Sequence, residues 1–278
     1  MSQKSNQLAD VSVLLAVRDG MPFLKDAVMS VLNQVGATLE LIIVDDGSND
    51  AGVSWLEALE ASDDRVRIIR NESSKGLTCA LNQAIELAHG SYIARIDHDD
   101  LWLPGKLARQ IQEFQRHADV VLVATGYNEQ KLNGGELRPS GIPVIRESVE
   151  IRRALYRCNP FLHSSVMLKA SIVDRIGGYN ESFRYAQDYE MWTRILIHGE
   201  ARTIPDVLCT RRLGDQNISI RKERAQRFNA LRSKLSWCVR NGFSNRVVMP
   251  ALRDILVMIL PRSVKSVARR RLRIWRSK

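Results

Sequence analysis

Apolar residues in the first half of the chain come in short runs separated by longer amphipathic stretches, and this alternation predicts the fold. Residues 11–17 read as a buried strand, followed by the turn Arg18-Asp19-Gly20 and a helix opening at Pro22, with Phe23, Ala27 and Val31 at helical spacing. Residues 39–44 form a second buried strand that ends in Asp45-Asp46-Gly47-Ser48, and residues 53–61 a helix. Residues 66–69 give a third strand, 76–88 an amphipathic helix and 91–96 a fourth strand, before a helix over 104–117 and a strand over 120–124. Strands alternating with helices imply an α/β fold built on a doubly wound, mostly parallel sheet.

The second half is less regular. Between residues 127 and 160, Gly134-Gly135 suggests a hairpin. Residues 164–168 predict a strand, and 171–176 a short helix closed by Gly177-Gly178. Asp188 is expected to N-cap a helix running to residue 197 and stopped by Gly199. From Arg221 onward the pattern is helical and basic. The expected organisation is a body over 1–220, with halves at about 10–125 and 126–220, and an extension over 221–278.

Sheets of this type bind ligands at the C-terminal ends of their strands. Arg18-Asp19, Asp45-Asp46 and Asp97-His98-Asp99-Asp100 all fall there. If extended backbone persists past residue 96, Asp97 and Asp99 project to the same side, because side chains alternate with period two. His98 then points the other way. Two hard oxygen donors at a strand end suit a divalent cation carrying a diphosphate; an Asp-rich turn without function is the competing reading.

Charge divides the chain. Of the formal +10, residues 221–278 supply 17 Lys and Arg against only Glu223 and Asp254, whereas residues 1–220 are net −5. The extension, not the body, needs an anionic partner. Cys79, Cys158, Cys209 and Cys238 are scattered without a C-x-x-C pair, which argues against a zinc site and a disulfide framework. The first ten residues are polar and no run of 18 apolar residues occurs, so the expected setting is cytoplasmic and without a spanning helix.

No G-x-G-x-x-G follows the first strand and no P-loop sequence is present, so a bound phosphate is expected to be held through metal and side chains. Val11-Ser12-Val13, Ser30-Val31-Leu32-Asn33-Gln34 and Leu41-Ile42-Ile43-Val44-Asp45-Asp46-Gly47-Ser48 stand in an order that continues through Asn82 and Asp97-His98-Asp99-Asp100. Gly177-Gly178-Tyr179-Asn180-Glu181 and Gln187-Asp188-Tyr189-Glu190-Met191-Trp192 complete it. Over about residues 10–220 the chain thereby resembles the family 2 glycosyltransferases, inverting enzymes of the GT-A fold.

The resemblance implies a nucleotide-sugar donor and Mg²⁺ or Mn²⁺. It sets Ala16, Arg18, Asp45, Asp46 and Asp97 at the nucleotide, with Asp97 and Asp99 at the metal. A carboxylate there suits a ring N–H donor of uracil, thymine or guanine. Many relatives carry an aromatic residue where Arg18 stands; a guanidinium can also stack on a ring. Asp188 matches the position of the catalytic base, which takes the acceptor's hydroxyl proton as attack proceeds; Gln187 replaces the Glu common before it. Glu181 matches a ligand of donor or acceptor hydroxyls and His163 lies on the acceptor side, a structural histidine being the alternative. Arg212 matches the late loop near the diphosphate, but Gly214 replaces a frequent His, so a third metal ligand is not expected from that loop.

Residues 262–278 hold eight basic residues and no acid, with Val264, Val267, Leu272, Ile274 and Trp275 interleaved. This suits the interface of an anionic membrane better than a merely solvated helix or nucleic acid, and points to a peripheral position on the inner face of the cell membrane. The expectation is therefore a metal-assisted inverting glycosyltransferase acting on a lipid-linked or cell-envelope glycan. Against a catalytically silent sugar-nucleotide-binding or scaffold protein stand the intact Asp97, Asp99 and Asp188. A nucleotidyltransferase would normally bring a glycine-rich phosphate loop.

Overall fold

The longest fully buried strand supplies the spine of the sheet. Val11–Val17 (β1) has no exposed side chain, because strands covered by helices on both faces read as continuous apolar runs. A computed structural model describes residues 9–132, 135–141, 144–214, 223–242 and 245–259.

After β1 come α1 (Phe23–Leu32), β2 (Leu39–Asp45), α2 (Gly52–Ser62), β3 (Val66–Arg70), α3 (Leu77–Glu86), β4 (Tyr92–Arg95), β5 (Leu101–Trp102) and α4 (Lys106–Arg116). The chain continues through β6 (Val120–Lys131), β7 (Arg138–Pro139), α5 (Ser148–Ala154), a 3₁₀ turn (His163–Ser165), β8 (Met167–Lys169), α6 (Ala170–Ile176), α7 (Gln187–Ile195) and β9 (Glu200–Leu213). Two helices follow, α8 (Glu223–Asn241) and α9 (Asn245–Ile259). The strand order is β3-β2-β1-β4-β8-β6-β9-β5, with β7 pairing only with β6. Strands β1 to β4, β6 and β9 share one direction; β5, β7 and β8 oppose it. The expected doubly wound, mostly parallel sheet is present, curled, and extended by C-terminal helices.

Alternation along the strands creates two cores. Leu14, Ala16, Ile42 and Val44 face α3, α7 and α8, while Val13, Leu15, Leu41 and Ile43 face α1 and α4. Between β6 and β9 the register slips twice around Gly126, opposite Pro205-Asp206. A Cβ on Gly126 would lie 2.7 Å from the Pro205 carbonyl oxygen, so the bulge requires glycine there.

Several expectations are corrected. Residues 164–168 are not one strand: Ser164 and Ser165 lie in the 3₁₀ turn, with the Ser165 hydroxyl donating to the Leu162 carbonyl, a local bond that competes with the ladder. Asp188 does not cap its helix. Ala186, at φ 53°, occupies that position, and Asp188 lies in the first turn. β9 covers Arg211–Leu213, where a loop was expected; Pro205, Asp206 and the outward arginines break its apolar pattern. The hairpin expected at 134–135 is bracketed by antiparallel β6 and β7, although residues 133–134 lie outside the described residues. So does the basic tail 262–278. Among the described residues no helix is long and apolar enough to cross a membrane.

Candidate functional site

The C-terminal ends of β1, β2 and β4 lie side by side, and hydrogen bonds knit the loops after β1 and β2 together. The Asp46 amide donates to the Val17 carbonyl at 2.8 Å. The Asp19 amide donates to Ser48 Oγ (2.9 Å), Asn49 N–H to Asp19 Oδ1 (2.8 Å) and Met21 N–H to Asp50 Oδ2 (2.8 Å). Ala16 is buried beside Val44 and supplies apolar wall. Arg18 is exposed, 3.8 Å from the Asp19 carboxylate.

Asp45 and Asp46 do different work. Asp45 accepts the Ser48 amide at 2.9 Å and lies 3.7 Å from Arg70. Asp46 accepts from Ser74 Oγ (2.6 Å), Lys75 N–H (2.8 Å), Gly76 N–H (2.9 Å) and Asn71 Nδ2 (3.0 Å). Four donors fill the acceptor positions of one carboxylate. Burial acts to raise its pKa, but those bonds together hold it below the usual carboxylate range. Asp46 thus anchors the loop over residues 71–76.

β4 stops at Arg95, and the chain turns instead of extending. Asp100 N–H donates to the Asp97 carbonyl at 3.1 Å, and Asp97 N–H to Ser164 Oγ at 3.0 Å. Asp97 and Asp99 therefore meet through a turn, not through strand alternation, and the same turn brings in Asp100. Oxygen atoms of all three carboxylates lie within 4.8 Å of one another. Beneath them the buried Arg95 guanidinium holds Asp97 with both terminal nitrogens. Asp100 accepts from Ser164 Oγ (2.5 Å) and from the Arg212 amide (3.0 Å).

One guanidinium does not neutralise three carboxylates. Burial opposes ionisation of Asp97, yet the Arg95 charge beside it brings its pKa down to about 2. Burial and the Asp97 charge push Asp99 up. Burial, then Asp97 and Asp99, push Asp100 up to about 8 despite its hydrogen bonds. A compact, oxygen-only donor set whose members repel one another fits a hard divalent cation, which supplies the missing positive charge.

Asp188 accepts from Asn159 Nδ2 at 2.6 Å. Burial raises its pKa against its hydrogen bonds from Tyr189 and Asn159, and the charges of Arg95 and Asp97 also reach it. His163 is buried, with Nε2 2.7 Å from the Tyr179 hydroxyl and its ring edge-on to Trp192. Burial, then Arg95, hold it well below the usual imidazole range, so it is neutral. Glu181 accepts from Asn82 Nδ2 (3.0 Å), whose side chain also clasps both backbone groups of Tyr179. Arg212 reaches Asp26 at 2.7 Å and lies over the Phe23 ring, tying β9 to α1.

Sequence reasoning missed Arg95, Ser164 and Asn159, and gave Asp100, though part of the motif, no role of its own. The available signal was Arg95 itself: a charge inside the apolar run of β4 needs a buried partner, and Asp97 stands two residues on.

A profile described as glycosyl transferase family 2 matches residues 12–177. EpsE of Bacillus subtilis (strain 168), named as a glycosyltransferase, is 30% identical over 195 residues, covering 68% of this chain and 67% of that one. Among solved structures, the mannosyltransferase PcManGT from Pyrobaculum calidifontis, in complex with GDP-Man and Mn²⁺, superposes with a TM-score of 0.64 at 18% identity. That match covers 91% of this chain and 70% of that one. S. aureus TarS 1-349 in complex with UDP-GlcNAc gives 0.68 at 12% identity, over 90% and 70% of the two chains. At these identities the structural likeness speaks for the fold.

Proposed function

Because the chain belongs to glycosyl transferase family 2, we propose that it is an inverting, metal-assisted glycosyltransferase in which Asp188 is the general base. The observation that carries this reading is the Asp97-Asp99-Asp100 cluster in the turn after β4, with the charge of Asp97 also felt at Asp188. Asp97 and Asp99 hold a divalent cation, which when bound supplies the charge that offsets a departing nucleoside diphosphate. PcManGT and TarS, solved with GDP-Man and UDP-GlcNAc, support a nucleotide-sugar donor. Asp45, at the end of β2 before the loop that Ser48 and Asp19 brace, receives the nucleoside together with Arg18.

Asp188 has the properties of a base on the acceptor side. Its pKa is raised by burial, which increases its basicity, and Asn159 fixes its rotamer. The basic extension keeps the enzyme at the inner membrane face, where the acceptor is a lipid-linked or cell-envelope glycan; the charge excess after Arg221 supports this. Asp188→Asn should retain donor affinity while transfer falls by about 10²-fold or more. Transfer near the parent rate would remove Asp188 from the chemistry.

A further inference from the structure

Helices α8 and α9 expose an apolar surface that the fold does not use. α8 buries Asn229, Ser233, Trp237 and Cys238, and its Arg240 donates to Thr193 of α7 at 3.1 Å. Elsewhere on α8, Phe228, Leu235 and Val239 are exposed, the last at 78%. On α9, Val248, Met249, Leu252, Ile255 and Leu256 are exposed, with Met249 at 72%. Their spacing of one, four, seven and eight residues from Val248 places them on one face of the helix. Large apolar side chains lined up and exposed along a helix face mark an interaction surface.

The charges around this surface select the occupant. Residues 223–259 contain two acids, Glu223 and Asp254, and Asp254 is buried against Lys234 and Arg227. The exposed charged side chains described on the two helices, Arg224, Arg240, Arg246 and Arg253, are all positive. A second copy would bring the same positive rim, and residues 262–278 bring eight more basic groups and no acid. An anionic surface with an apolar interior matches both the charge and the apolar face.

We propose that the outer face of α8 and α9 docks on an anionic lipid surface and carries α7, with Asp188, to that surface. The inference rests on the membrane-associated reading above and adds a structured docking face that also orients the acceptor side of the site. The acceptor's sugar is thereby delivered from the lipid side.

Sedimentation of the full chain with phosphatidylglycerol-rich vesicles tests it, using Met249→Glu/Leu252→Glu. Both residues are exposed, so donor hydrolysis and the melting temperature should not change, while vesicle partitioning should fall by about tenfold or more. Arg269→Gln/Arg270→Gln/Arg271→Gln in the full chain probes the tail separately. Unchanged partitioning of the helix variant with loss in the tail variant overturns the docking face and spares the tail reading. Unchanged partitioning of both overturns both. Equal binding of the parent to pure phosphatidylcholine overturns the anionic assignment. A parent oligomer that the helix variant dissociates, seen by light scattering, assigns the face to a second copy and overturns the lipid proposal.

Discussion

Replacing Arg95 by Met tests the electrostatic foundation of the site. Arg95 is buried to 3% of its side chain, and Asp97 retains 35% exposure. Breaking a fully buried pair costs about 3–5 kcal/mol; because Asp97 can partly rehydrate, the expected loss falls below that range, at about 2–3 kcal/mol. The coupling between the two side chains follows from Asp97 itself. Its pKa moves from 3.8 to about 2 against the opposing effect of burial, so the net shift, worth about 2.5 kcal/mol and trimmed by solvent screening to about 1–2 kcal/mol, is a floor for that coupling. A double-mutant cycle with Arg95→Met and Asp97→Asn, read by thermal or urea unfolding in chelator, should return that coupling at pH 7. The sign is fixed by linkage. A carboxylate with a depressed folded pKa contributes stability above its unfolded pKa and loses it as pH falls through the folded one, here from about 4 to about 2. Additive single costs, with coupling below about 0.5 kcal/mol, would refute the claim that Arg95 holds the aspartate turn.

Asp46→Asn should lower stability by about 2–3 kcal/mol, since an amide N–H₂ then faces donors of the 71–76 loop, and should raise the KM for donor; an unchanged melting temperature would contradict the anchoring role. Lys106 is buried over the Trp102 ring with Gln110 as its hydrogen-bond partner, and burial lowers its pKa to about 7. Between about pH 7 and 10 the unfolded chain holds a proton that the folded one lacks, so parent stability should rise with pH by up to about 1.4 kcal/mol per unit. Lys106→Met should abolish that slope, and equal slopes would place the proton elsewhere.

The parts of the fold legible in the sequence are those that one helix on each face dictates. β1, β2 and β4 read as apolar runs because both faces are covered. β9 did not, because its Pro205-Asp206 bulge answers to Gly126 of β6 across the sheet and its arginines to acids on α4, β6 and α1. The aspartates were legible as a motif, but their geometry was not. Asp100 is drawn in by Ser164, 64 residues away, and by the Arg212 amide, 112 residues away. Asp46 reads as a ligand from its position, yet its acceptor capacity is taken by a loop 25 to 30 residues downstream.

Release of nucleoside diphosphate from a panel of UDP- and GDP-sugars, by the purified parent chain and by Asp99→Asn, with Mn²⁺ and with chelator, tests the central claim most directly. The parent should turn over one donor class with Mn²⁺ and lose that turnover in chelator, and Asp99→Asn should lack it. Turnover that is the same in all conditions and in both proteins would contradict a metal-assisted sugar transfer at the Asp97-Asp99-Asp100 turn.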